Sequence, residues 1–73
     1  VEIVVDAADR TGLLRDISEV LSRERINVTA TRTQSSDLSA RMRFTLEVSD
    51  LGQLQRVLGL IREVNGVLDA VRR

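Results

Sequence analysis

The sequence has no cysteine, histidine, tryptophan, tyrosine or proline, and Phe44 is its one aromatic residue. Without cysteine there is no disulfide and no thiolate metal site. Without histidine the chain lacks the commonest metal ligand and the usual general base near neutral pH. Eleven basic and eleven acidic residues cancel, so no strong net field draws the chain to nucleic acid or to an anionic membrane. No apolar run approaches the length of a bilayer span, and no signal-peptide pattern opens the chain. The 73 residues make one small domain, 1–73, whose limited core leaves it marginal unless a partner adds buried area. Val1 already lies inside a strand-like run, which reads as a domain cut from a longer protein.

What is present is hydrophobic patterning. Val1 to Asp6 is short and β-branched and predicts a first strand, with Val1, Ile3 and Val5 on one face. A helix is predicted over about Gly12 to Arg25, because Leu13, Leu14, Ile17, Val20 and Leu21 share one face over two turns. Its other side carries Arg15, Glu19 and Arg23 at i,i+4 spacing, a solvated face. The threonine-rich segment Thr29 to Gln34 favours a strand yet is poor in apolar residues, and Ser35-Ser36-Asp37 reads as a turn. With no proline or lysine to guard it, that strand is expected to be a sheet edge open to self-pairing.

The clearest alternation follows: Met42, Phe44, Leu46 and Val48 point one way, and Arg41, Arg43, Thr45 and Glu47 the other. Asp50, with Gln53 three residues on, has capping-box spacing at the start of a second helix. Leu51, Leu54, Val57, Leu58, Ile61 and Val64 form its buried stripe. Gly59 inside it predicts close packing by another element, and Asn65-Gly66 ends it. Val67 to Val71 is the last strand, with Arg72-Arg73 an exposed tail. The order βαββαβ gives an α+β, ferredoxin-like sandwich, a four-stranded antiparallel sheet in the order 4-1-3-2 with both helices on one face. The expected core is Leu14, Ile17, Val20, Leu21, Phe44, Leu46, Leu54, Val57, Leu58 and Ile61.

The turn Asp9-Arg10-Thr11-Gly12-Leu13-Leu14 organises the rest. Thr11 stands where an N-cap would, and Gly12 lets another backbone approach the helix entrance. Such an entrance exposes N–H groups and the positive end of the helix dipole, which suit a carboxylate or phosphate. The plainer alternative is that Asp9 and Thr11 only end a strand and cap a helix.

The run from Val5 through Asp9-Arg10-Thr11-Gly12-Leu13-Leu14-Arg15-Asp16-Ile17, with Ile26-Asn27-Val28, resembles the ACT domain family of small regulatory modules. The likeness continues through Arg43-Phe44-Thr45-Leu46-Glu47-Val48 to Asn65-Gly66-Val67. The variant Asp-Arg-x-Gly-Leu-Leu-x-Asp-Ile, and the ending Asp69-Ala70-Val71-Arg72-Arg73, look most like the C-terminal ACT domain of RelA/SpoT-type synthetases and hydrolases of guanosine tetraphosphate. The resemblance implies a bacterial, cytoplasmic, non-catalytic regulatory module of the stringent response, a homodimer that binds an amino acid between two copies. By position the ligand would meet Asp9, Arg10, Thr11, Gly12, Leu13 and Leu14 of one copy and Asn27 and Val28 of the other. Backbone N–H groups at Gly12 and Leu13 suit its carboxylate, Asp9 its ammonium, and Leu13, Leu14, Ile26 and Val28 the side chain of valine, leucine or isoleucine. The resemblance also implies ribosome or tRNA contact through the parent protein, and so an alternative role as a docking module without a small ligand.

Other readings are weaker. The carboxylates are scattered without a pair fit for acid–base work, so no catalytic residue, metal site or cofactor is expected. Asp16 about a turn into the helix is explained by the dipole rather than by a metal. The exposed sheet face has no aromatic to stack a base, but it offers Arg41 and Arg43 with Arg32. These can meet phosphates, or pair across strands with Glu2, Glu47 or Asp69.

Overall fold

A computed structural model describes all 73 residues. The elements are β1 (Glu2–Ala8), α1 (Leu13–Arg23), β2 (Asn27–Ser36), β3 (Ser39–Glu47), α2 (Leu51–Arg62) and β4 (Val67–Arg72). The sheet order is β2-β3-β1-β4, which from the other edge is the 4-1-3-2 order expected, and every pair is antiparallel. No helix is long and apolar enough to cross a membrane.

Alternation in β3 sets the core. Ala40, Met42, Phe44 and Leu46 are buried, while Arg41 and Arg43 face out. Opposite them β1 buries Ile3, Val5 and Ala7, with Ile3 paired to Phe44 and Val5 to Met42. The helices close this layer with Leu13, Ile17, Val20 and Leu21 from α1 and Leu54, Val57, Leu58 and Ile61 from α2. All 17 buried residues are apolar, so no buried polar side chain needs a partner. Asp50 caps α2 by accepting from the Gln53 N–H at 2.8 Å, and the Gln53 side chain accepts from the Ser49 N–H at 2.7 Å. The reciprocal capping bond therefore reaches one residue further back than the simple capping box.

Several boundaries and faces differ from the sequence reading. β1 runs to Ala8, and Val1 is 40% exposed just before its start, though hydrogen-bonded to Leu46, while Ala7 takes the inward place. α1 begins at Leu13 and ends at Arg23. Leu13 is buried, and Leu14, expected in the core, is 47% exposed. Both fit a helical repeat, but Leu14 lies on the flank away from Val20 and Asp16, beyond where the sheet and α2 give cover. Leu51 is likewise exposed in the first turn of α2, and Val64 lies past its end, half-buried. A Cβ on Gly59 would meet nothing within 4 Å, so that glycine is not there for close packing. Asn65-Gly66 forms a separate turn, with Gly66 at φ +94. Arg72 pairs with Ile3 inside β4, and the Arg73 N–H donates to the Glu2 carbonyl at 2.9 Å, so the tail is part of the sheet.

β2 is the edge foreseen, longer than predicted at ten residues, and exposed throughout except for half-buried Val28. The hairpin to β3 turns on Asp37-Leu38, with Asp37 at φ +51. Neither helix covers the inward side of β2 at Thr31, Thr33 and Ser35. The core thus stops one strand short of the sheet edge.

Phe44 is among the largest fully buried side chains, on the central face of β3. Phe44→Ala is expected to cost ~3–5 kcal/mol, comparable with the whole stability of a domain this small. Urea denaturation checks this; a midpoint within error of the parent chain would contradict the register.

Candidate functional site

The turn between β1 and α1 is held by one side chain. Arg10 donates from Nε to the Asn65 carbonyl at 2.6 Å, from Nη1 to the Thr11 carbonyl at 3.0 Å, and from Nη2 to Asp16 Oδ2 at 2.7 Å. It thereby ties the entrance of α1 to the turn that leads into β4. Gly66 makes room for it: a Cβ there would sit 3.3 Å from Arg10 Nε and 3.5 Å from the Ala8 carbonyl. Arg10, a residue expected to meet a ligand, has three of its five N–H donors engaged inside the chain and two left open. Asn65 and Gly66 belong to this site and were read in the sequence only as a helix end.

Gly12 precedes α1 at φ +81, ψ 3, in the left-handed region, and no side chain caps the helix. Thr11 is therefore not the N-cap; its carbonyl is taken by Arg10, and its hydroxyl makes no hydrogen bond. A Cβ on Gly12 would lie 3.4 Å from Arg15 Nη2 and 3.8 Å from Arg10 Nη1, so two guanidinium groups flank the space above it. The Leu13 N–H donates to the Arg10 carbonyl at 3.3 Å, but those of Gly12, Leu14 and Arg15 have no backbone acceptor. The free donors expected at Gly12 and Leu13 are thus at Gly12, Leu14 and Arg15. Asp9 is exposed, and its carboxylate makes no hydrogen bond or ion pair, while its N–H donates to the Leu38 carbonyl at 2.8 Å. Leu38, at 84% exposure, and Leu14 give this end an apolar surface.

Asn27 and Val28 lie elsewhere. α1 descends from the turn and β2 begins at its foot, so within one chain the two halves are separated by at least the ~16 Å length of α1. At that far end Asn27 Nδ2 donates to the Glu47 carboxylate, leaving its carbonyl oxygen unbonded, and Val28 packs on the core. Thr29 forms a bulge between Val28 and Ala30, which re-aims the start of β2.

On its other side the turn opens to a shallow groove of about 340 Å³ between the helices, floored by Val20, Leu60 and Val64 and rimmed by Arg10, Asp16 and Glu63. The Asp16 carboxyl is held below its ordinary pKa, first by its hydrogen bond from Arg10 and then by the charges of Arg10 and Arg15. With a third of the side chain exposed, solvent screens this pair and its contribution is modest. A lowered carboxylate pKa in the folded state stabilises above the unfolded value, and that stabilisation is lost as pH falls through the folded one. The melting-temperature gap between the chain and Asp16→Asn is therefore expected to be full at neutral pH and to close in strong acid. A gap that is the same at both extremes would contradict the Arg10 clamp.

Residues 1–72 match the family profile of the ACT domain. The GTP pyrophosphokinase of Escherichia coli strain K12 is 43% identical over 70 residues, 93% of this chain and 9% of its own length. The bifunctional (p)ppGpp synthase/hydrolase RelA of Mycobacterium tuberculosis is 41% identical over 73 residues, 99% of this chain and 10% of its own. The chain thus spans about a tenth of the relatives it matches. The crystal structure of the ACT domain from GTP pyrophosphokinase of Chlorobium tepidum superposes with a TM-score of 0.88 at 21% identity, over 99% of this chain and 94% of that one. The ligand-free regulatory subunit of aspartate kinase from Thermus thermophilus shares the fold at a TM-score of 0.74 and 19% identity, over 99% of this chain and 48% of that one. Profile, sequence and fold agree over nearly the full length, and the chain belongs to the ACT domain family.

Proposed function

We propose that this ACT domain is the regulatory module of a GTP pyrophosphokinase or (p)ppGpp synthase/hydrolase, pairs with a second copy, and binds a branched-chain amino acid where the two copies meet. The supporting observation is the separation of the two half-sites. The Asp9–Leu14 turn carries an unpaired carboxylate and unpaired N–H groups at one end of the sheet, and Asn27 and Val28 stand at the other. A two-fold axis through the β2 edge would run two β2 strands antiparallel and bring each Asn27 to the end that carries the other copy's turn. Such pairing fills the open hydrogen bonds of the edge and covers Leu14 and the inward side of Thr31 and Thr33, the surface a single copy leaves bare.

The ligand chemistry follows from the groups left free. Its carboxylate meets the N–H groups of Gly12 and Leu14 beside the Arg10 and Arg15 guanidinium groups, and its ammonium meets Asp9. Leu14, Leu38 and Val28 suit a short aliphatic side chain. No charged group of the chain is arranged for bond-breaking, so the site senses rather than reacts. Occupancy would stabilise the pair and pass to the parent enzyme as a change in assembly.

Titration of the chain with valine, leucine and isoleucine, followed by amide shifts at Gly12, Leu14 and Asn27, tests the reading. Asp9→Ala is expected to weaken binding by ~1–3 kcal/mol, the loss of one charge-assisted hydrogen bond. Gly12→Asp is the poorer probe, because its φ of +81 strains any other residue. If no amino acid at millimolar level moves those amides, the turn is a helix entrance only and the reading fails.

A further inference from the structure

The outer face of the sheet holds a cluster of arginines, two of which stand outside every ion pair of the chain. Register sets Arg32 of β2 directly opposite Arg43 of β3, and Gln34 opposite Arg41. Like charges directly opposed across strands are destabilising. The nearby acids have other ion-pair or hydrogen-bond partners than Arg32 and Arg43, although Glu2 borders both. Asp6 pairs with Arg41 at 2.8 Å, against the expectation of Glu2, Glu47 or Asp69, because register places Asp6 opposite it. Glu2 pairs with Arg73 at 3.1 Å, Asp69 lies 3.7 Å from Arg62, and Glu47 accepts from Asn27. Arg32 and Arg43 take part in none of the six ion pairs.

Arg32, Gln34, Arg41 and Arg43 line a concavity of about 120 Å³ with no apolar residue in its wall. That space admits one tetrahedral oxyanion. We infer that this concavity is a binding site for a phosphate group, held by Arg32 and Arg43 with Gln34 and the outer side of Arg41. Two guanidinium groups free of ion pairs match a dianion, and donors arriving from two strands suit a tetrahedral anion better than the two coplanar oxygens of a carboxylate. This face has no aromatic residue to stack a base, and its donors are guanidinium and amide groups suited to a phosphate. The phosphate comes either from a small phosphorylated molecule or from a nucleic-acid backbone. The site is distinct from the Asp9–Leu14 turn and does not depend on amino-acid binding.

The chain closes its own apolar core and is tested by itself. Arginine Nε–H resonances are followed while inorganic pyrophosphate, or a short single-stranded RNA, is added, with sodium chloride at matched ionic strength as control. Saturable shifts at Arg32 and Arg43 at millimolar pyrophosphate or below are the expected result. Saturation by the RNA with pyrophosphate inert also supports the site and assigns its phosphate to a backbone. Arg32→Gln and Arg43→Gln are each expected to weaken binding about tenfold without lowering the melting temperature, since each also removes a like-charge contact. The inference is overturned if neither probe saturates, if chloride gives the same shifts, or if both variants bind as the parent does.

Discussion

The Arg10 guanidinium is the contact on which the turn between β1 and α1 depends. Its three nitrogens reach the turn before β4, the turn before α1 and the first turn of α1 itself. Each bond is partly exposed and worth little in isolation. Together they fix the path of a turn that otherwise has no side-chain cap, and they use Asp16 to do it. What remains after the clamp is set, an unpaired Asp9 and open N–H groups at Gly12, Leu14 and Arg15, is a surface fit for a zwitterion. Gly12 and Gly66, both at positive φ, let the two turns come together around that side chain.

The second constraint is that two helices cannot cover four strands evenly. α1 and α2 close over β3, β1 and β4, and β2 is left with every residue exposed except half-buried Val28. A ten-residue edge with bare Thr31 and Thr33 beside an exposed Leu14 is an incomplete layer. It gives a marginal domain a reason to pair and, by the direction of β2, the proposed pairing would divide the ligand site between copies. The outer face differs in character, carrying charge in the opposed Arg32 and Arg43.

Elements with strong periodicity were legible in the sequence. The alternation of β3, the α2 stripe, the Asp50–Gln53 cap and the sheet order follow from local pattern and connection rules alone. The turn was legible as a feature but not in its mechanics. Arg10 finds its carbonyl partner 55 residues away, a contact that no local spacing encodes. Leu13 and Leu14 both satisfy helical periodicity, and only the placement of the sheet and of α2 decides which is buried. The Asp6–Arg41 pair depends on register, which in turn depends on how β1 and β3 align. Asn27 and Val28 were named as site residues through resemblance, and the chain's own topology holds them at the far end from the turn.

The central claim is that the amino-acid site is divided between two copies, and mixing of variants tests it most directly. Asp9→Ala and Asn27→Ala chains are each expected to bind poorly alone, because every site in either proposed homodimer would lack one group. After equal mixing and exchange, half the dimers are mixed and each has one intact site, so about a quarter of all sites should regain parental affinity for the branched-chain amino acid. Binding that stays at the level of the separate variants after mixing would contradict a shared site.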